Sequence, residues 1–114
     1  MKTIFSFDGG GVRGVITVAF LEEIERVLMD MTGKPLVQNM NLAGGTSTGG
    51  IIAGALALGY TGPEICEFYF ELLPRLFRKS RSRVPGIQSR FKGEILKERL
   101  IELCGQRTLE TPDL

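Results

Sequence analysis

The chain has 114 residues, 43% hydrophobic and 24% charged, with a net charge of +1 at pH 7. This composition is that of a globular protein with a modest core and argues against collagen, coiled coils and disorder. There is no histidine, which removes the most common general base and any Ser-His-Asp triad within these residues. The cysteines Cys66 and Cys104 lack metal-ligand spacing, so we expect no metal site and reduced thiols, which suit the cytosol; a disulfide between them is the alternative.

The N-terminal third predicts a strand, a glycine turn and an amphipathic helix. The β-branched and aromatic run from residue 3 to residue 7 favours a strand, which three glycines end. A helix is predicted from about residue 12 to residue 31, stopped by a glycine and a proline at residues 33 and 35. The apolar residues at helical spacing are Leu21, Ile24, Leu28 and Met31. The residues expected on the polar side are Glu22, Glu23, Glu25 and Arg26.

The remaining elements follow the same type of pattern. Residues 36–43 form a mixed stretch that could end in a second strand, and residues 48–58 predict a helix that is apolar nearly all round and therefore buried. A third helix is expected from Pro63 to about residue 79, with a kink or break near Pro74. Residues 78–89 are polar, basic and loop-like, and helical spacing returns at residues 93–104.

A strand, a glycine turn and a helix, followed by a second such unit, predict an α/β fold with a parallel sheet and helices on both faces. Two strands are too few for a stable sheet. We therefore expect residues 1–114 to be the N-terminal part of a larger domain, incomplete in this chain. The sequence has no signal-peptide pattern and no apolar run long enough to span a membrane.

The segment GGTSTGG at residues 44–50 contains a G-x-S-x-G motif between a predicted strand and a predicted helix. In a nucleophile elbow the serine occupies a sharp turn, and the flanking residues Gly45 and Gly49 keep side chains from colliding. The backbone N–H of Thr48, at the start of the helix, would face the reacting oxygen, and Thr46 completes the turn. The alternative is that Ser47 is an ordinary helix N-cap.

The segment DGGGVRG at residues 8–14 is a second glycine motif, again between a strand and a helix. It matches the G-x-G-x-x-G fingerprint of dinucleotide-binding domains. That fingerprint expects an acidic residue at the end of the second strand, where this chain has Asn41-Leu42-Ala43. Successive N–H groups in such a turn can equally form an oxyanion hole, with Arg13 orienting the loop or holding a phosphate.

Together, DGGGVRG and GTSTGG, in this order, resemble the patatin-like phospholipase family, and the likeness continues through FYFELLPRLFR and GEILKERLIELCGQRTL. The resemblance implies an α/β lipid acyl hydrolase of phospholipase A or lysophospholipase type, with a serine–aspartate dyad and no cofactor. It implies that Ser47 is the nucleophile. It further implies an oxyanion hole formed by Gly9, Gly10 and Gly11, with Arg13 beside it.

The sequence departs from the family in lacking the dyad aspartate, which the family carries in an Asp-Gly-Gly or Asp-Gly-Ala turn downstream of the elbow. The chain has only Asp8, Asp30 and Asp113, and none of them fits that pattern. A serine without a base is a poor nucleophile at neutral pH. We therefore expect these 114 residues alone to be inactive, and a non-catalytic lipid- or protein-binding remnant is the alternative function.

Positive charge is concentrated late in the chain, with nine Lys or Arg and two Glu between residues 75 and 99. A basic cluster with two apolar neighbours could attract anionic lipid headgroups, although a solvated loop would have the same composition. We expect no nucleic-acid partner, and a cytoplasmic protein that can lie peripherally on membranes. The residues of this cluster are Arg75, Arg78, Lys79, Arg81 and Arg83.

Overall fold

The computed structural model describes residues 2–77 and 85–107. The order of elements is strand, helix, strand and three helices, with short 3-10 turns at Gly11–Arg13 and Leu36–Asn39. The strands are β1 (Ile4–Phe7) and β2 (Leu42–Gly45). The helices are α1 (Gly14–Thr32), α2 (Thr48–Ala57), α3 (Gly62–Phe77) and α4 (Pro85–Cys104).

The two strands form a parallel sheet, which confirms the predicted α/β fold class. Ile4 pairs with Leu42 at one end of the ladder, and Phe7 pairs with Gly45 at the other. Both strands therefore end at the same edge of the sheet. In parallel α/β sheets, the carboxyl ends of the strands are where ligands bind. The two glycine motifs leave the sheet side by side at this edge.

The core lies between the sheet and the first three helices. α2 packs against both strands, and the main partner of α1 is α3. As predicted, most of α2 is buried, although Gly54 and Ala57 are exposed. The largest fully buried side chains are Tyr69, Leu21, Leu36, Ile52, Leu56, Leu72 and Val18.

The predicted faces of α1 are partly wrong. Glu25, expected on the polar side, is 5% exposed, whereas Met31, expected in the core, is 77% exposed. The carboxylate of Glu25 accepts hydrogen bonds from the backbone N–H groups of Leu36, at 3.2 Å, and of Gly62. Buried carboxylates require such partners. Glu25 therefore joins α1 to the start of α3, and Ile24 is turned outward beside it.

The C-terminal helices also differ from the prediction. The predicted break near Pro74 is absent, since Pro74 lies inside α3, and the predicted kink there stays a prediction. α4 begins at Pro85, so residues 85–89, predicted as loop, are helical. Proline is well suited to the first position of a helix because its missing N–H would have no partner there. Among the described residues, no helix is long and apolar enough to cross a bilayer.

Candidate active site

Ser47 occupies the turn between β2 and α2 with φ 54° and ψ −125°. Within the described residues it is the sole non-glycine residue with positive φ. Such a conformation costs an L-residue on the order of 1–3 kcal/mol, and it persists where the surrounding structure enforces it. Ser47 is also exposed. A strained, exposed serine on a strand-to-helix turn has the geometry of a nucleophile elbow.

The N-cap interpretation of Ser47 is wrong. Ser47 precedes the first residue of α2, but its side chain makes no capping hydrogen bond to the helix. A capping serine has β-region backbone angles and accepts an N–H from the second or third helical residue. The backbone angles of Ser47 lie outside that region. Its hydroxyl therefore remains available for a group outside the helix.

Two glycines allow this turn to form. The backbone of the turn is held by hydrogen bonds from Gly49 N–H to Thr46 O, at 2.9 Å, and from Gly50 N–H to Ser47 O, at 3.0 Å. A Cβ atom on Gly45 would overlap the carbonyl group of Gly49, and one on Gly49 would overlap the carbonyl oxygen of Phe7. Glycine is required at both positions because backbone atoms fill the space of a side chain.

Thr46 binds the two glycine motifs together. Its backbone N–H donates to the carbonyl oxygen of Phe7 at 3.1 Å, and its hydroxyl accepts the N–H of Gly9 at 3.2 Å. A Cβ atom on Gly9 would lie 2.6 Å from the Cβ of Ser47. The structure therefore brings the predicted oxyanion loop into direct contact with the predicted nucleophile. Residues separated by 37 positions in sequence meet at this edge of the sheet.

The glycine loop, residues 8–14, contains N–H groups that are not engaged elsewhere in the described part of the chain. The N–H of Gly9 is engaged by Thr46, but those of Gly10 and Gly11 have no acceptor in the part of the chain that the structure describes. Gly10 and Gly11 have φ values of 146° and 57°, which glycine adopts most readily. N–H groups at the start of a helix carry positive partial charge. This arrangement suits a developing anion.

Arg13 lies at the end of the loop, in the 3-10 turn that leads into α1, and is exposed. Its backbone N–H donates to the carbonyl oxygen of Gly10 at 3.1 Å, which closes the loop. Arg13 thus holds the loop through its main chain. α2 begins at Thr48, whose side-chain oxygen is buried without a hydrogen-bond partner among the described residues.

None of the aspartates with a described position forms a dyad with Ser47. Asp8 is exposed at the end of β1, and Asp30 forms an ion pair with Arg26 at 3.0 Å on the surface of α1. Asp113 lies outside the described residues. Within the described residues, no carboxylate makes a hydrogen bond to the Ser47 hydroxyl.

The elbow and the glycine loop, joined at one sheet edge, agree with the comparison against family models. The model described as patatin-like phospholipase matches residues 5–111. The chain belongs to the patatin-like phospholipase family. The match includes both glycine motifs and all of the elements described above except the first residue of β1.

Similar proteins come from bacteria and plants. A cUMP-AMP-activated phospholipase of Escherichia coli is 38% identical over 87% of this chain and 30% of its own length. Patatin-17 of Solanum cardiophyllum is 33% identical over 90% of the chain and 29% of its own length. Patatin-like protein 4 of Arabidopsis thaliana is 32% identical over 96% of the chain and 31% of its own length. The chain thus spans about a third of these relatives. No solved structure is significantly similar.

Sequence reasoning missed one side chain at this site. Tyr69, on α3, is buried, and its hydroxyl donates a hydrogen bond to the carbonyl oxygen of Gly11 in the glycine loop. No local pattern indicates this contact, since the two residues are 58 positions apart. Of the predicted basic cluster, Arg75 lies in α3 with its side chain undescribed, and residues 78–84 lie outside the described residues.

Proposed function

We propose that the chain is the nucleophile-bearing part of a lipid acyl-ester hydrolase of the phospholipase A or lysophospholipase type. One observation carries the proposal: Ser47 is held in a strained, uncapped turn against the glycine loop. A strained backbone at a serine indicates that the side chain has a role there, because glycine would relieve the strain. The names of the family and of the relatives support a lipid substrate.

The chemistry proceeds in two steps. The Oγ of Ser47 attacks the carbonyl carbon of the ester and passes its proton to a base. The tetrahedral oxyanion accepts hydrogen bonds from the N–H groups of Gly10 and Gly11. The base then gives the proton to the leaving alcohol, and the acyl-enzyme forms. Water then attacks the acyl-enzyme, which releases the fatty acid and restores the serine. Gly9 allows a close approach between the loop and the elbow, but it donates no hydrogen bond to the oxyanion because its N–H is already bonded to Thr46.

The base in this proposal is an aspartate encoded beyond residue 114, in the Asp-Gly-Gly or Asp-Gly-Ala turn that the family resemblance implies. Asp30 is paired with Arg26 on the surface of α1, and Asp8 belongs to the glycine motif itself. The domain would then extend past Leu114, and residues 1–114 alone would hydrolyse esters weakly or not at all. Sequencing the transcript beyond codon 114 tests this directly, and robust turnover by the isolated 114 residues would contradict it.

The experiment that tests the function is phospholipid hydrolysis by the product of the complete gene. We expect release of fatty acid by the wild-type protein and none by Ser47→Ala. Ser6→Ala is the matched control, because Ser6 is an exposed serine inside β1. Equal activity in Ser47→Ala would overturn the proposal. A folded wild-type protein that binds lipid but hydrolyses no ester would favour the non-catalytic remnant.

A dinucleotide-binding function is disfavoured by the way the glycine loop packs. Dinucleotide loops leave room for a pyrophosphate at the glycines. Here the Cα of Gly9 faces Ser47, and its N–H is taken by Thr46. Ser47 and Thr46 therefore occupy space beside the glycines that a dinucleotide-binding loop leaves for the pyrophosphate.

Approach to a membrane surface is a separate part of the proposal, and it rests on sequence alone. The basic cluster from Arg75 to Arg83 would attract anionic headgroups, at roughly 1 kcal/mol per cation near the surface. Flotation with phosphatidylserine-containing vesicles should exceed flotation with neutral vesicles, and the excess should fall as salt rises. Equal flotation with both vesicle types would count against this role.

A further inference from the structure

The hydroxyl of Tyr69 donates a hydrogen bond to the carbonyl oxygen of Gly11, which belongs to the glycine loop. Tyr69 is 1% exposed and comes from α3, an element that carries none of the residues predicted for the nucleophile elbow or the oxyanion hole. The ring also lies against Gly14, where an added Cβ would overlap the tyrosine hydroxyl. This close approach requires glycine at position 14. The position of the phenol hydroxyl thus accounts for both the hydrogen bond to Gly11 and the close fit against Gly14.

The Gly11 oxygen is held from two sides. It accepts one hydrogen bond from the N–H of Gly14 and a second from the hydroxyl of Tyr69. Because the peptide unit is planar, fixing this oxygen also fixes the direction of the Val12 N–H. It further restricts rotation at Gly11, which has φ 57° and few intrinsic conformational limits. A run of three glycines would otherwise sample many conformations.

We propose that Tyr69 is a positioning residue that holds the glycine loop in the conformation in which its N–H groups face the oxyanion at Ser47. The inference rests on the proposed acyl-ester hydrolysis. Donors that are oriented before the reaction stabilise the transition state without reorganisation, and losing one donor in a hydrolase costs about 100- to 1000-fold in kcat. Loosening donors that remain present should cost less, about tenfold.

The chain offers a matched control in Tyr60. The sequence has two tyrosines, and the hydroxyl of Tyr60 also donates to a backbone carbonyl oxygen, that of Leu103, at 2.8 Å. Tyr69→Phe and Tyr60→Phe each delete one oxygen and one hydrogen bond of the same kind. Both should lower stability by a similar amount. The two variants differ in what the lost bond held: the glycine loop in one, the end of α4 in the other.

The test uses the product of the complete gene and two readouts. In ester hydrolysis, Tyr69→Phe should lower kcat about tenfold and leave KM within about twofold. In ¹⁵N-glycine spectra, the amides of Gly10 and Gly11 should shift and exchange faster. Tyr60→Phe should change neither readout. Tyr69→Phe behaving like Tyr60→Phe in both would overturn the inference and would mean that Tyr69 only joins α3 to α1.

The failure of the proposed function is distinguishable from the failure of this inference. A wild-type protein without ester hydrolysis would reject the function, whereas the glycine amides would still report whether Tyr69 orders the loop. If Tyr69→Phe does not fold, the inference is tested instead on the hydroxyl proton of Tyr69 in the wild-type protein. A slowly exchanging Tyr69 hydroxyl proton with a nuclear Overhauser effect to the Gly14 amide supports the inference, since both protons would share the Gly11 oxygen. A rapidly exchanging hydroxyl overturns it.

Discussion

Two helices of this protein begin in opposite ways. α3 begins after Thr61, whose backbone N–H donates to the carboxylate of Glu64 at 2.8 Å while the Glu64 N–H points back to the threonine hydroxyl at 3.5 Å. This is a capping box, and it uses the hydroxyl locally. α2 begins after Ser47, which is strained and does not cap. The hydroxyl of Thr61 therefore has a structural role at the start of its helix, whereas the hydroxyl of Ser47 makes no such bond and is available for chemistry.

The largest expected effect separates these two hydroxyls. Ser47→Ala should reduce labelling by a fluorophosphonate probe to background, because the nucleophile is gone. Thr61→Ala should leave the labelling rate unchanged and instead lower the free energy of unfolding by about 1 kcal/mol through loss of the cap. Labelling kinetics and urea denaturation of both variants check the pair. A drop in labelling for Thr61→Ala at full folding would break the comparison.

The two helices should differ in the stability that they lose when the second residue of each is replaced by alanine. Gly49→Ala places a Cβ on the carbonyl oxygen of Phe7, so we expect a loss of about 3 kcal/mol or more in the free energy of unfolding. Pro63→Ala, the equivalent position of α3, is exposed and should cost about 1 kcal/mol or less. Chemical denaturation measures both. Similar losses in the two variants would mean that the elbow turn is less constrained than its contacts indicate.

The strain at Ser47 predicts a stabilising substitution that destroys reactivity. Ser47→Gly removes the Cβ from a positive-φ position, and we expect a gain of about 1 kcal/mol after the flexibility of glycine in the unfolded state is offset. Ser47→Ala keeps the Cβ and should show no such gain, which makes it the matched control. Thermal and urea unfolding provide the measurement. A destabilised Ser47→Gly would show that the turn stores no strain.

The smallest expected effect is a pH dependence at the start of α3. Hydrogen bonds from the backbone and side chain of Thr61 lower the pKa of Glu64 below its ordinary value of 4.5. A carboxylate with a lowered folded-state pKa stabilises the fold above the unfolded pKa, and this stabilisation is lost as pH falls through the folded value. Glu64→Gln should therefore reduce stability at pH 7 and converge with wild type at acidic pH. A constant difference at all pH values would contradict the capping-box role.

Much of the fold could be predicted from local pattern. The strand before the first glycine motif, the stop of α1 at Gly33 and the start of α2 follow from spacing and turn chemistry within a few residues. Gly33, for example, has φ 68°, and its N–H bonds to Met29 O at 2.9 Å, as a glycine after a helix commonly does. The sharp strand-to-helix turn at Ser47 also follows from the five adjacent residues GTSTG.

The remaining features depend on distant contacts. The burial of Glu25 depends on N–H groups 11 and 37 residues away, so periodicity alone placed it on the wrong face of α1. The hydroxyl of Thr46 meets the loop through pairing of the strands, and Tyr69 meets Gly11 through packing of α3 on α1. Helical spacing identifies an apolar face, but it does not say which polar atom a buried tyrosine will reach.

The most direct test of the central claim is to locate the adduct of a fluorophosphonate probe on the wild-type product of the complete gene by peptide mass spectrometry. The account predicts one modified serine, Ser47, in the peptide that joins β2 to α2. Modification that is absent from Ser47 in a folded protein, or that is distributed over exposed serines such as Ser6, would contradict the assignment of GTSTGG as a nucleophile elbow.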